Sequence, residues 1–173
     1  MKPWLVAYSS LTGNTKKIGE AIWKVLPAGS DVFSVDEEHD WRNYEYIAVG
    51  YWVDKGTLDS KAMEYMEKIT SKKVFVFATL GAYPDGDHAK SSLAKGVELM
   101  KENGNEVIGE FICQGRLSEA IMNRMKSFGP DHPHGVTEER RKRWEIASQH
   151  PNEEDFEAVQ ELIRKVFEIE SEY

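Results

Sequence analysis

Short continuous apolar runs alternate along the chain with longer stretches whose apolar residues recur every three or four positions. Residues 4–8 form the first such run, apolar throughout, as expected for a strand buried on both faces. Ile18, Ala21, Ile22, Val25 and Leu26 follow at helical spacing, and Pro27-Ala28-Gly29 ends that stretch. Residues 31–35 and 46–50 predict the second and third strands. Leu58, Ala62, Met63, Met66 and Ile69 predict a second helix. Residues 74–78, β-branched alternating with aromatic, form the clearest strand. A Gly/Pro/Asp-rich loop at 81–87 separates it from a third helix over 89–102, which Asn103-Gly104 closes. Residues 106–113 predict a fifth strand and 118–128 a further helix. Residues 129–135, rich in Gly, Pro and His, predict a loop. Thr137 followed by Glu138 and Glu139 predicts the capped start of a short basic helix. Phe156, Val159, Leu162, Ile163, Val166 and Phe167 give the last helix, starting near Asn152, one apolar face.

Strands alternating with helices imply a parallel sheet covered on both faces by right-handed crossovers. The expectation is therefore a single α/β domain over 1–173: five parallel strands in a doubly wound, three-layer sandwich. In such sheets ligands sit beyond the carboxyl ends of the strands, at the point where strand order reverses. Charge narrows the choice of ligand. A formal net charge of −8 argues against nucleic acid and against anionic membrane surfaces. No run approaches the ~20 apolar residues of a membrane span. Cys113 is the only cysteine, so no internal disulfide or cysteine-rich metal site is expected. These features together predict a cytoplasmic protein.

The loop after the first strand carries the most distinctive chemistry. Ser9-Ser10-Leu11-Thr12-Gly13-Asn14-Thr15 supplies hydroxyls, a glycine and a helix N-terminus, where unpaired amides and the helix dipole favour an anion. The glycine fingerprints of dinucleotide and P-loop sites are missing. On residue types alone, the segment suits a phosphate-binding turn and an ordinary capped strand-to-helix turn equally.

Tyr8-Ser9-Ser10-Leu11-Thr12-Gly13-Asn14-Thr15 resembles the FMN-phosphate loop of the flavodoxin family, Ser/Thr-x-Thr-Gly-x-Thr, in position and register. The likeness in element order covers nearly the whole chain. The resemblance implies a sheet in the order 2-1-3-4-5 and non-covalent FMN. It implies that Ser10, Thr12, Asn14 and Thr15 hold the phosphate, with backbone contacts from Leu11 and Gly13. It also implies ring-binding loops after the third, fourth and fifth strands. The first supplies Tyr51, Trp52, Val53, Asp54 and Gly56, with Trp52 stacked on one face and Gly56 permitting a peptide flip. The second supplies Thr79, Leu80, Gly81 and Tyr83, with Tyr83 on the other face. The third supplies Gln114 and Gly115. The usual Gly-Ser-Pro-Thr pattern of the first ring loop is replaced by Tyr51-Trp52-Val53.

The function so implied is electron transfer through FMN to a redox partner protein, a reductase or a terminal acceptor enzyme. The chain itself is expected as a monomer or weak dimer with no catalytic side chain. Asp54, Asp85 and Asp87 are expected to rim the flavin and steer a basic partner. The alternative is a flavin-dependent NAD(P)H oxidoreductase acting on a quinone or similar small acceptor. The extra stretch at 129–151 would then serve as a lid; in a carrier it would serve as a docking surface. His132 and His134 lack partners at metal-binding spacing, so no metal site is expected. The basic run from Arg140 to Arg143 reads as a solvated helix face.

Overall fold

The computed structural model describes residues 1–129 and 131–171. Pro130, in the loop expected at 129–135, and the last two residues lie outside the described residues. In chain order the elements are β1 (Lys2–Tyr8), α1 (Asn14–Trp23), β2 (Asp31–Ser34), a 3-10 turn at Trp41–Asn43, β3 (Tyr44–Asp54), β4 (Thr57–Leu58), α2 (Ser60–Met66), β5 (Lys73–Leu80), α3 (Asp87–Glu102), β6 (Glu106–Gln114), α4 (Glu119–Lys126), α5 (Glu138–Ala147) and α6 (Glu153–Ser171).

The parallel strands pair in the order β2-β1-β3-β5-β6. Counting only these five, this is the expected 2-1-3-4-5. One row across the sheet runs Leu5, Ile47, Val74, Val107. Side chains alternate between faces with period two, which divides the core in two. Leu5, Ala7, Ile47, Val49, Val74 and Val76 pack against Ala62 and Met66 of α2 and Leu93, Val97 and Met100 of α3. Trp4, Val6, Tyr8, Ala48, Phe75 and Phe77 pack against Ile18 and Ile22 of α1 and Val159 and Ile163 of α6. Of the six apolar residues expected on the last helix's buried face, Val159, Ile163 and Val166 belong to this second core and Phe156, Leu162 and Phe167 pack against it. Where the aromatic rings need room, glycines provide it. A Cβ on Gly50 would lie 2.0 Å from the Phe77 ring, so that ring lies flat on bare backbone.

One feature departs from the expected plan: β3 does not end at residue 50. It continues to Asp54, with Trp52 paired to Thr79 of β5, and turns back into β4. Lys55 (φ 51°) and Gly56 (φ 79°) make that turn. Two residues at positive φ are the type I′ geometry that matches strand twist. Between β6 and α6 the chain makes the expected excursion through two helices, α4 and α5. Helix α4 contains no fully buried residue, and α5 buries only Trp144 and Ala147. The excursion ends firmly: Asp155 accepts from the Asn152 amide (2.9 Å) while Asn152 Oδ1 accepts from the Asp155 amide (3.2 Å), a reciprocal cap that starts α6.

Candidate functional site

The carboxyl ends of β1, β3, β5 and β6 open into a cleft of about 470 Å³. Its inner wall is built from strand ends and the loop entering α1. Ser9 is buried and its hydroxyl donates to Asp59 Oδ2 at 2.5 Å, while its amide donates to the Gly50 carbonyl at 2.9 Å. Ser10 Oγ accepts from the amides of Gly13 (3.1 Å) and Lys16 (3.3 Å), which curls the loop around the start of α1. Gly13 sits at φ 96°, and an added Cβ would meet nothing within 4 Å. Glycine is therefore required here by the left-handed backbone and not by crowding. Among the described residues, the amides of Asn14 and Thr15 meet no acceptor, so the first turn of α1 presents open N–H groups beside the Ser10 and Thr12 hydroxyls.

Several expected site residues are employed elsewhere. Thr15 is fully buried and shares a 2.8 Å hydrogen bond with the Thr79 hydroxyl. Both side chains thus tie α1 to β5 instead of offering a hydroxyl to a phosphate, although the Thr79 position still borders the cleft. Tyr51 is fully buried in the core. Its hydroxyl donates to the carbonyls of Ser92 (2.8 Å) and Leu93 (3.3 Å), and its ring occupies the space left by Gly96. Burial pushes this phenol well above its ordinary pKa. Period-two alternation is the reason: in a strand, Tyr51 and Trp52 cannot face the same side. Gly56 is locked in the hairpin turn with its carbonyl accepting from Lys95 Nζ at 2.7 Å, and it does not border the cleft. Tyr83 lies outside the cleft lining, 39% exposed. Gln114 is buried and donates to the Gly81 carbonyl (3.3 Å), bracing two loops from behind.

The structure brings together Leu11, Thr12 and Asn14 from the first loop, Trp52, Val53 and Asp54 from β3, Thr79, Leu80 and Gly81 from β5, and Gly115 after β6. Asp59, which the sequence did not single out, organises this wall. It is 2% exposed; it caps α2 by accepting from Ala62 N (3.2 Å), and it also accepts from Trp52 N (3.2 Å) and from Ser9. Burial raises its pKa, opposed by the hydrogen bonds from Ser9, Ala62 and Trp52. Asn14 Nδ2 donates to the Arg116 carbonyl (2.8 Å), and a Cβ on Gly115 would lie 2.6 Å from Asn14. The turn after β6 is thereby pressed against the start of α1.

The model of the flavodoxin domain family matches residues 5–164. The chain belongs to the flavodoxin family. It is similar to the flavodoxin-like domain-containing protein BilS of Clostridioides difficile (strain CD3), 36% identical over 158 residues and covering 87% of this chain and 88% of that protein. It also resembles an uncharacterized protein of Methanocaldococcus jannaschii, 29% identical over 168 residues and covering 94% of this chain and 96% of that protein. Among solved structures, the Fusobacterium nucleatum flavodoxin bound to flavin mononucleotide matches at a TM-score of 0.60 with 15% identity, covering 100% of this chain and 99% of that one. At that identity the likeness is one of fold.

In this flavodoxin-family chain the outer wall of the cleft comes from the excursion. Leu117, Ile121, Met125 and Phe128 line it with apolar surface, and Arg116, Arg124, His134 and Arg143 add cationic or basic groups. Lys55 joins them from the hairpin, and Asp54 is the one carboxylate among the described lining residues. The rim is therefore not the acidic one expected from Asp54, Asp85 and Asp87. Sequence reading gave 129–151 a lid or docking role but missed the α4 half of this wall, which belongs to no motif. The available signal was Ile121, Met125 and Phe128 at helical spacing on a helix with no expected core partner. The basic run at 140–143 was likewise read as uniformly solvated, but its members diverge. Arg140 donates to the Pro133 and Gly135 carbonyls and holds the 131–135 turn, Lys142 pairs with Glu138 at 3.6 Å, and Arg143 enters the cleft. Among the described residues no group of His, Cys, Asp and Glu forms a metal site, and no helix is long and apolar enough to cross a membrane.

Proposed function

We propose that this chain binds FMN non-covalently in the cleft and passes electrons to a partner protein in the cytoplasm. The observation that carries the reading is the open first turn of α1. Amides of Asn14 and Thr15 with no acceptor, flanked by the Ser10 and Thr12 hydroxyls at a helix N-terminus, are the donor set a phosphate dianion needs. The cleft volume lies within the ~300–1,000 Å³ range of small-molecule sites. Bound FMN supplies reversible one- and two-electron redox chemistry. The chain's own residues do the rest. Trp52, Val53, Leu80 and Leu117, all lining the cleft, would exclude water from the ring. The Asp59 latch holds the Trp52 strand end in place. Leu11, a cleft-lining residue 58% exposed, leaves apolar surface open for transient contact with a second protein.

A second reading, a flavin-dependent reductase of a small acceptor, draws support from the outer wall, which encloses more of the cleft than electron exchange through an exposed ring edge requires. The absorbance spectrum of the purified protein and the mass of its heat-released cofactor test the first step. A yellow protein releasing FMN is expected; a colourless protein, or one releasing only FAD, overturns the reading. Reduction by an added flavoprotein reductase but not by NAD(P)H alone is expected of the carrier. Rapid NAD(P)H turnover with a quinone and no second protein favours the reductase.

A further inference from the structure

Arg143 differs from every other member of its basic run. Its neighbours are satisfied by carbonyls, by Glu138 or by solvent. Arg143 lines the cleft, and its Nε is sealed from solvent with no hydrogen-bond partner. The sealed Nε is out of a ligand's reach, so what Arg143 can offer the cleft is the charge and N–H groups of its Nη atoms. Arg124 lines the same cleft from α4, and no carboxylate lies within salt-bridge distance of either arginine among the described residues. The same cleft is lined with apolar surface from Ile121, Met125 and Phe128. The Phe128 ring is itself held flat by a stack on His132, with centroids 4.2 Å apart and planes within 10°.

We infer that the outer half of the cleft is a binding site for a second ligand, a planar apolar molecule carrying a carboxylate. The carboxylate is taken by the guanidinium of Arg143, with Arg124 adding charge. The apolar body lies along Ile121, Met125 and Phe128. Two coplanar oxygens match the end-on pair of Nη–H groups of a guanidinium, and a bidentate pair of this kind gives orientation as well as affinity. The excess of cations over Asp54 in the lining sets the sign of the ligand charge against the −8 of the whole chain. This inference rests on the FMN reading only in the position of the ligand, beside the inner wall that would hold the cofactor.

Isothermal titration of 2-naphthoate and of its neutral analogue 2-naphthamide tests it, on the protein as purified and after FMN loading checked by absorbance. Naphthoate is expected to bind FMN-loaded protein about tenfold more tightly than naphthamide, as a charge-assisted hydrogen bond of ~1.5 kcal/mol or more implies. Arg143→Met should abolish that preference while leaving FMN content and the circular dichroism spectrum unchanged. Arg124→Gln should reduce the preference, and Arg141→Gln, an exposed neighbour on the same helix, should leave it intact. Equal binding of the two probes, or no binding, overturns the inference. So does naphthoate that displaces FMN, or an Arg143→Met protein that loses FMN, because Arg143 would then serve the cofactor. Inorganic phosphate that binds as well as naphthoate also overturns it, since the apolar body would contribute nothing. A chain that takes up no FMN but still prefers naphthoate through Arg143 would sink the FMN reading and leave this one standing.

Discussion

The two walls of the cleft are built on opposite principles. On the inner wall nearly every polar side chain is consumed in holding structure. Ser9 and the Trp52 amide bond to Asp59, Thr15 to Thr79, Gln114 to Gly81, and Asn14 to the Arg116 carbonyl. What this wall offers a ligand is backbone N–H groups, the Ser10 and Thr12 hydroxyls and apolar faces. On the outer wall α4 buries no residue completely, and its anchors are few: the Ser118 cap on Ile121 N at 3.1 Å and the Arg140 contacts to the turn at 131–135. Its Arg124 and Arg143 have no ion-pair partner among the described residues. The inner wall is thus rigid and generic, suited to a cofactor shared by a whole family. The outer wall is held by fewer bonds and carries most of the cleft's basic side chains.

The largest effect expected from that contrast comes at Asp59. Asp59→Ala removes the acceptor for Ser9, Trp52 and Ala62 at once, loses a helix cap, and leaves buried donors unpaired. A loss of about 3 kcal/mol in urea unfolding is expected, with weaker FMN retention. A loss below about 1 kcal/mol would show that the inner wall does not depend on this latch. Next comes the buried hydroxyl pair. Thr79→Val strands the Thr15 hydroxyl and should cost about 1–2 kcal/mol, and the double variant Thr15→Val/Thr79→Val should recover part of it. Additive losses would mean that the 2.8 Å contact carries no coupling. Smaller still is the expected effect on stability of Ile121→Ala on the outer wall. Ile121 is 37% exposed, so its stability change should stay within about 0.5 kcal/mol. A change as large as that at Thr79 would erase the distinction between the walls.

The same contrast decides what was legible in the sequence. The sheet could be read because each strand is an apolar run and each crossover helix carries one apolar stripe, so that Leu5 and Trp4, or Val74 and Phe75, sort themselves to opposite faces by period two. The first loop was legible because a hydroxyl-rich turn before a helix has a local chemical meaning. Tyr51 was misjudged because its role depends on where β3 ends. The extension to Asp54 is stabilised by the Lys55-Gly56 turn and by pairing with Thr79, neither of which a local apolar count detects. Asp59 was overlooked because a lone aspartate before a helix reads as a cap. That it also serves Ser9 and Trp52 is a tertiary fact. Arg143 could not be separated from Arg140 and Arg141 until the geometry of the excursion was known.

The smallest effect, a pH slope, sharpens the comparison within the carboxylates themselves. Asp59 is buried, and its folded-state pKa lies above the ordinary 3.8 because burial penalises the charge more than its hydrogen bonds favour it. A group raised in this way stabilises the fold fully below pH 3.8, and that contribution is lost as pH rises through its folded pKa. Asp31, at the start of β2, is the reverse. The Lys2 ammonium at 2.7 Å and then the Tyr44 hydroxyl at 2.6 Å hold its pKa below 3.8. Its contribution is present above pH 3.8 and is lost as pH falls through the lowered value. Unfolding free energies from urea titrations between pH 3 and pH 7 separate the two. Relative to Asp59→Asn, the wild type should lose ground as pH rises from 3.8. Relative to Asp31→Asn, it should lose ground only as pH falls below 3.8. Any fixed offset from altered hydrogen bonding in the asparagine variants cancels, because only the slopes are compared. A rising slope for the Asp59 pair would mean that the Ser9, Trp52 and Ala62 donors outweigh burial, and that the inner wall holds its carboxylate as a stabilising charge instead of a tolerated one.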